Sequence, residues 1–297
     1  MPPDAPGGAA HDPLVYLNGA YVPKSAARVS PDDRGFLFGD GVYEVVRAVG
    51  GRMVDLDRHL GRLTDGAAAL ALALDRAGGP AGVRDAWTRL LAANGLDAGE
   101  ALCYAQLTRG AAPRAHAYPG ADTPPTLYAF ASRIDPPDVL RARGATAVTY
   151  PDLRWARCDL KTVNLLPNVM AKQAAAAAGA FEAVLVRDGV VTEASHSSAF
   201  AVAGGVLRTH PLGPRILPGV TRAVVLELAA ALGVPAREEA VTLAELRAAD
   251  EVFVASTTAD VMPVVALDGA PVGGGAPGPV SRALAAAMAA RLGRPTA

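Results

Sequence analysis

The chain has 297 residues, with 28 basic and 29 acidic side chains and a net charge of −1. That balance leaves no basic face for a nucleic-acid backbone, and no apolar run reaches the ~18 residues of a membrane span. Two cysteines, Cys103 and Cys158, are too few for a disulfide scaffold, and five scattered histidines without an HExxH or CxxC pattern give no metal site. A cytoplasmic protein with free thiols is expected.

A chain of this length can bury about 75% of its unfolded surface and suits two domains. Met1 to Pro13 is rich in Pro, Gly and Ala, with neither a basic start nor an apolar stretch. It reads as a disordered tail rather than a signal peptide. Residues 14–17, then Asn18-Gly19, then 20–22 predict a hairpin with a tight turn. The glycine- and aromatic-rich stretch 35–41 leads into a strand over 42–49, and Gly50-Gly51 turns it into a short return strand. Helical spacing follows over 57–74, with Leu60, Leu63, Ala67 and Leu70 on one face. A second helix is predicted over 83–93, and strands over 102–107 and 126–131. Between those strands, 109–120 has two prolines, two glycines and no apolar period, and is a long loop.

Asp135-Pro-Pro-Asp138 is the linker candidate, separating an N-terminal domain (14–134) from a larger C-terminal one (139–297). The second domain is predicted to open with a strand over 145–150 and a helix over 168–178. Asp188-Gly189 joins strands 182–187 and 190–193, and Gly204-Gly205 joins 199–203 and 206–209. A helix over 221–232, a strand over 251–256 and a terminal helix over 280–292 complete the pattern. Strands and helices mix without strict βαβ alternation, which predicts two α/β or α+β domains.

Only three of the 28 basic residues are lysines: Lys24, Lys161 and Lys172. A lysine can lose its proton and form an imine, and arginine cannot. Lys161 lies between apolar Leu160 and Val163, so it suits either an exposed strand end or an imine-forming amine. Lys24 and Lys172 read as surface residues. Glu193 ends a strand before a Ser-rich turn and could hold a buried cation or cap that turn. Leu217-Pro-Gly-Val-Thr221 opens a helix, whose N–H groups and hydroxyl suit either a phosphate or ordinary capping. Ser256-Thr-Thr258 offers a second hydroxyl cluster or a plain polar turn. Arg58 and Arg62 sit four apart, the spacing of a solvated helix face. Arg114 and His116, two apart in the long loop, suit a mobile surface or a carboxylate clamp. A lysine, an acid, two phosphate-suited turns and a clamp are together the parts that pyridoxal phosphate requires.

Seven stretches give the chain a resemblance to the fold-type IV pyridoxal-phosphate aminotransferases, nearest their D-amino acid branch. They are DDRGFLFGDGVYEVVR (32–47), RHLGRL (58–63), TRGAAPRAHAYP (108–119), RWARCDLKTVNLLPNVMAKQ (154–173), VTEASHSS (191–198), ILPGVTR (216–222) and FVASTTADVMPV (253–264). They run in family order across nearly the whole chain. The resemblance implies a two-domain mixed α/β fold with the cofactor at the domain junction. It implies Lys161 as the Schiff-base lysine and Glu193 as partner of the pyridine nitrogen. Arg62, Val220, Thr221, Ser256 and Thr257 would hold the phosphate. Tyr43, Arg114 and His116 would receive the substrate carboxylate, the last two reaching the other subunit's site in a homodimer. The implied reaction is transfer of an amino group from a D-amino acid, such as D-alanine, to a 2-oxo acid, such as 2-oxoglutarate. The rivals are a branched-chain L-amino acid or (R)-amine transaminase and an aminodeoxychorismate lyase of the same fold. The sequence departs from the family where Ala194-Ser-His-Ser-Ser198 stands in place of a frequent Gly-Ser-Ser-Ser-Asn.

Overall fold

A computed structural model describes residues 12–294. The predicted N-terminal tail lies outside these residues up to position 11. Asp12 and Pro13 are tied to the chain that follows, Asp12 accepting from Ser25 N at 3.0 Å and Pro13 O from Lys24 N at 2.9 Å. The chain divides into two compact units, residues up to 52 with 63–133, and 53–62 with 134 onward.

In the first unit, β1 (Leu14–Leu17) and β2 (Ala20–Pro23) form the predicted hairpin. Asn18 and Gly19 both take positive φ, 48° and 92°, the geometry a two-residue turn between twisted strands requires. One turn of helix, α1 (Arg34–Phe38), precedes β3 (Gly41–Val49) and the short β4 (Arg52–Met53). Helix α2 (Leu56–Ala69) starts on residues of the other unit. Helix α3 (Gly79–Ala93) is followed by β5 (Glu100–Thr108) and β6 (Thr126–Arg133). The six strands run in the order β2-β1-β6-β5-β3-β4. Along β5, Ala101, Cys103, Ala105 and Leu107 alternate into the core, the period-2 pattern of a half-buried strand. Trp87 of α3, fully buried, donates its indole N–H to Tyr104 O at 2.9 Å.

From residue 134 the second unit continues with α4 (Asp138–Arg143), whose first residue is also the last of the 135–138 linker candidate. There follow β7 (Ala145–Pro151), α5 (Leu166–Ala177), β8 (Glu182–Arg187), β9 (Val190–Ala194), β10 (Ser198–Ala203) and β11 (Val206–Thr209). Then come α6 (Val220–Ala231), β12 (Ala236–Glu238), β13 (Val241–Thr242), α7 (Leu243–Arg247) and β14 (Glu251–Ser256). Strands β15 (Asp260–Leu267) and β16 (Ala270–Pro271) and helix α8 (Pro279–Leu292) close the chain. The mixed sheet runs β12-β11-β10-β14-β15-β7-β8-β9-β13, with β16 on β15. Its core is built of small and branched residues, among them Ala147, Val184, Val252, Val254, Met262 and Leu267.

Several elements escaped the sequence reading, α4, α7, β12, β13 and β16 among them, and α1 and β15 show why. Helix α1 is a single turn without an apolar period. Its start is fixed by Asp33, which accepts from Gly35 N at 2.8 Å, and its end by Gly39 at φ 68°. Strand β15 carries Pro263, which argues against a central strand. Pro263 stands opposite Phe253 of β14, and pairing with β7 begins only at Val264, so its missing N–H costs the ladder with β7 nothing.

Candidate active site

Glu193 lies at the end of β9, 7% exposed. Its Oε1 accepts from Leu217 N, and its Oε2 stands 3.2 Å from Arg154 Nη1. Burial pushes the Glu193 carboxyl up to about 6, against the pull of Arg154 and of the Leu217 N–H. Arg154 is itself gripped by Asp152, Nε to Oδ1 and Nη2 to Oδ2, both at 2.9 Å. Burial opposes the arginine's charge, but Asp152 and Glu193 outweigh it. Asp152 also accepts from Thr192 at 2.8 Å and is ion-paired with Arg187 at 3.0 Å. Burial works against the Asp152 charge as well, yet Arg154 and Thr192 hold its carboxyl down at about 2. The result is a buried row of alternating charge that ends on Glu193.

The turn after Leu217 carries the phosphate candidates. Gly219 starts α6 without a side-chain cap, so the first-turn N–H groups, those of Val220 and Thr221 among them, meet no capping oxygen from that residue. Arg62 donates to Pro218 O at 3.1 Å, which brings a guanidinium to the same turn. A Cβ on Gly219 would stand 3.0 Å from Ser198 Oγ and 3.2 Å from Arg222 Cβ. Ser198 pairs with Ala255 across β10 and β14, so Ser256 and Thr257 follow one step beyond. Ser256 Oγ lies 3.4 Å from Thr258 Oγ1 and accepts from Ala259 N at 3.2 Å. Arg62, the α6 N-terminus and Ser198 therefore lie together, and the 256–258 turn follows the strand paired with Ser198. Cationic guanidinium, helix N–H groups and hydroxyls are a donor set matched to a phosphate.

Lys161 is half-buried, three residues beyond Cys158, whose N–H donates to Pro214 O at 2.9 Å. That bond and the Arg154 Nη2 to Arg215 O contact at 3.0 Å tie the Lys161 segment to the chain entering Leu217. Lys24 is exposed as expected. Lys172 is a correction. It is half-buried, donates to Phe181 O and sits 4.8 Å from the Phe181 ring centroid.

The Ser-rich turn is organised by Glu182, a residue the sequence reading passed over. Glu182 is fully buried and accepts from Ser195 Oγ, from Ser197 Oγ at 2.9 Å and from Ala183 N at 2.9 Å, with His196 Nδ1 at 2.7 Å. Burial raises its carboxyl, but His196 and Ser195 overcome that and hold it down at about 2. Ser195 and Ser197 thus point inward, onto the Glu182 carboxylate. His196 and Phe181 line a cavity of about 310 Å³ together with Asp135 and Thr258.

In the first unit, Tyr43 is half-buried and stacks on Tyr104 with ring centroids 5.7 Å apart. Arg114 and His116 are exposed on the 109–120 loop and share the Phe38 ring, at 5.1 Å from Arg114 Cζ and 5.6 Å from the His116 ring. Among the described residues, no group of three or more His, Cys, Asp or Glu could hold a metal ion, and no helix is long and apolar enough to cross a membrane.

The family profile described as "Amino-transferase class IV" matches residues 41–267. The chain belongs to the class IV aminotransferases. It is 43% identical to a D-alanine aminotransferase of Bacillus licheniformis over 92% of this chain and 95% of that one. A D-alanine aminotransferase of Staphylococcus aureus (strain MSSA476) is 40% identical over 91% and 94%. A solved branched-chain aminotransferase from the thermophilic archaeon Thermoproteus uzoniensis, with norvaline, superposes with TM-score 0.84 at 27% identity, covering 95% of each chain. Pyridoxal 5′-phosphate is the cofactor of class IV aminotransferases, and the residues just described fit it. The phosphate matches Arg62, the α6 N-terminus and the hydroxyl cluster. The ring nitrogen matches the buried Glu193.

Proposed function

We propose that this class IV aminotransferase transfers the amino group of a D-amino acid, such as D-alanine, to a 2-oxo acid, such as 2-oxoglutarate, in two half-reactions. The observation that carries the D reading is the 43% identity to a D-alanine aminotransferase across 92% of the chain. The Arg114-Ala-His116 loop supports it, because a guanidinium clamp selects the side on which the substrate carboxylate lies.

Pyridoxal phosphate, when bound, supplies an electrophilic carbon for the amino group and a ring that accepts the electron pair left by the α-proton. Arg62, Val220, Thr221, Ser256 and Thr257 hold its phosphate. Glu193 keeps a proton on the ring nitrogen, and Arg154 keeps Glu193 ionised and aimed. A carboxylate in hydrogen-bond reach favours the protonated ring by about 1–3 pKa units, or ~1.4–4 kcal/mol. Lys161 Nζ, as a neutral amine, takes the substrate α-proton and returns it on the other side of the transfer. Tyr43, Arg114 and His116 orient the carboxylate. The enzyme acts as a homodimer in the cytoplasm, each Arg114–His116 loop serving the other subunit's site.

The visible absorption of the holoenzyme tests this reading. D-alanine removes the long-wavelength cofactor band and L-alanine leaves it. Loss of the band with branched L-amino acids instead moves the substrate assignment to the branched-chain relatives. No band with added cofactor overturns the role of Lys161.

A further inference from the structure

The 109–120 loop carries the carboxylate clamp, yet it is largely exposed and lacks helix or strand. A clamp must be held to a fraction of an ångström to be useful. Its hold comes from α1 and the residues at either end of that helix. Arg34 N donates to Gly110 O at 2.9 Å and Ala112 N to Asp32 O at 3.2 Å, fixing where the loop begins. The Arg34 side chain, 3% exposed, spends its fork on the loop itself. Nη1 donates to Ala115 O at 2.6 Å and Nη2 to His116 O at 3.4 Å. Those carbonyls belong to the residue between the two clamp residues and to His116.

Asp40 aims that fork. It accepts from Arg34 Nε at 2.8 Å and takes Arg109 on both oxygens, at 2.8 and 2.9 Å. Flanked by the two guanidiniums, its carboxyl is held below the ordinary carboxylate range although burial pushes the other way. Arg109 in turn donates to Leu70 O and Ala71 O, and its guanidinium carbon lies 3.5 Å from the Tyr118 ring centroid near the loop's far end. Phe38, at the end of α1, lies under both clamp side chains and 4.7 Å from Arg34 Cζ. An aromatic face beside a guanidinium restrains it in position and orientation.

We infer that Arg34, oriented by Asp40, and Phe38 are positioning residues for the Arg114–His116 clamp, and that they set affinity for the substrate carboxylate without touching it. This rests on the clamp reading of Arg114 given above. Removing either anchor frees the loop to sample positions where no carboxylate can be received. The loss falls on binding rather than on proton transfer at Lys161.

The test uses the holoenzyme with D-alanine and 2-oxoglutarate. Arg34→Ala and Phe38→Leu raise KM for both substrates about 10- to 100-fold while kcat stays within about threefold. The cofactor absorption and the thermal midpoint mark a folded, loaded enzyme, and Phe38→Tyr, which keeps the ring, restores KM. The inference is overturned if KM stays within about twofold in both variants while Arg114→Ala raises it, or if kcat falls as far as KM rises. Should Arg34→Ala fail to fold, Phe38→Leu decides, since it leaves the Asp40 pairs intact. If Arg114→Ala itself leaves KM unchanged, the clamp reading fails first, and that result is distinct from loss of the anchors alone.

Discussion

Burial raises the Glu193 carboxyl while Arg154 and the Leu217 N–H pull it back toward the ionised form. The carboxyl sits at about 6 in the folded chain, against roughly 4.3 unfolded. The folded state therefore keeps a proton that the unfolded state gives up between those values. Ionising Glu193 costs nothing below about pH 4, and the cost is complete above about pH 6, on the order of 2 kcal/mol. We expect Glu193→Gln to gain that much stability relative to the parent, in the cofactor-free protein, as pH rises from 4 to 7. Guanidinium unfolding at several pH values measures it, and a flat difference would show that burial does not raise the group. Arg154 bears the opposite expectation. Arg154→Met leaves Glu193 beside Asp152 with no cation between them, so Glu193 rises further and the acid limb of the kcat/KM profile moves to higher pH. An unmoved limb would remove Arg154 from the charge row. Lys161→Ala should retain the fold and lose turnover, and substantial remaining activity would end its assignment as the proton-transfer base. In the sequence Lys161 drew attention by its rarity and Glu193 by its strand-end position, and the roles proposed for them came from the family resemblance. Arg154 drew no attention, because an arginine in an Arg-rich chain carries no signal until its Asp152 and Glu193 partners are placed around it.

At the level of elements, legibility followed local chemistry. Asn18-Gly19, Asp188-Gly189 and Gly204-Gly205 all take positive φ at both turn positions, and all three hairpins stand where such pairs predict them. The interior of the Ser-rich turn was hidden for the converse reason. Glu182 opens a strand, and only the return of β9 brings Ser195, His196 and Ser197 onto it. Its carboxyl sits near 2 folded and about 4.3 unfolded. Its stabilising effect is therefore present in full above pH ~4.3 and is lost as pH falls through about 2. Glu182→Gln should destabilise the protein by on the order of 3 kcal/mol at pH 7, because the amide keeps one acceptor and presents donors to donors. The penalty should shrink toward pH 2. A thermal melting series of parent and variant checks this, and a penalty independent of pH would show that the carboxylate's charge is not what organises the turn.

For the whole molecule, composition and charge speak only to broad class, the net charge of −1 arguing against a basic face. They could not assign residues 53–62. Helix α2 has one uninterrupted period, yet its first turns belong with the second unit. The reason is long-range. Asp55 pairs with Arg291, Arg58 with Glu227 at 2.7 Å, and Arg62 reaches Pro218 O. The proposed dimer poses the corresponding question between chains, and complementation answers it. A Lys161→Ala chain keeps its clamp and lacks its base, while an Arg114→Ala chain keeps its base and lacks its clamp. If each loop serves the other subunit, a mixed dimer holds one site with both functions and one with neither. Random pairing of equal amounts gives half mixed dimers, so activity at low D-alanine should rise to about a quarter of the parent's. If each loop serves its own subunit, no site in the mixture regains both groups. Activity then stays at the mean of the two variants. Unfolding and refolding the mixture together, against the two variants refolded apart, separates the outcomes.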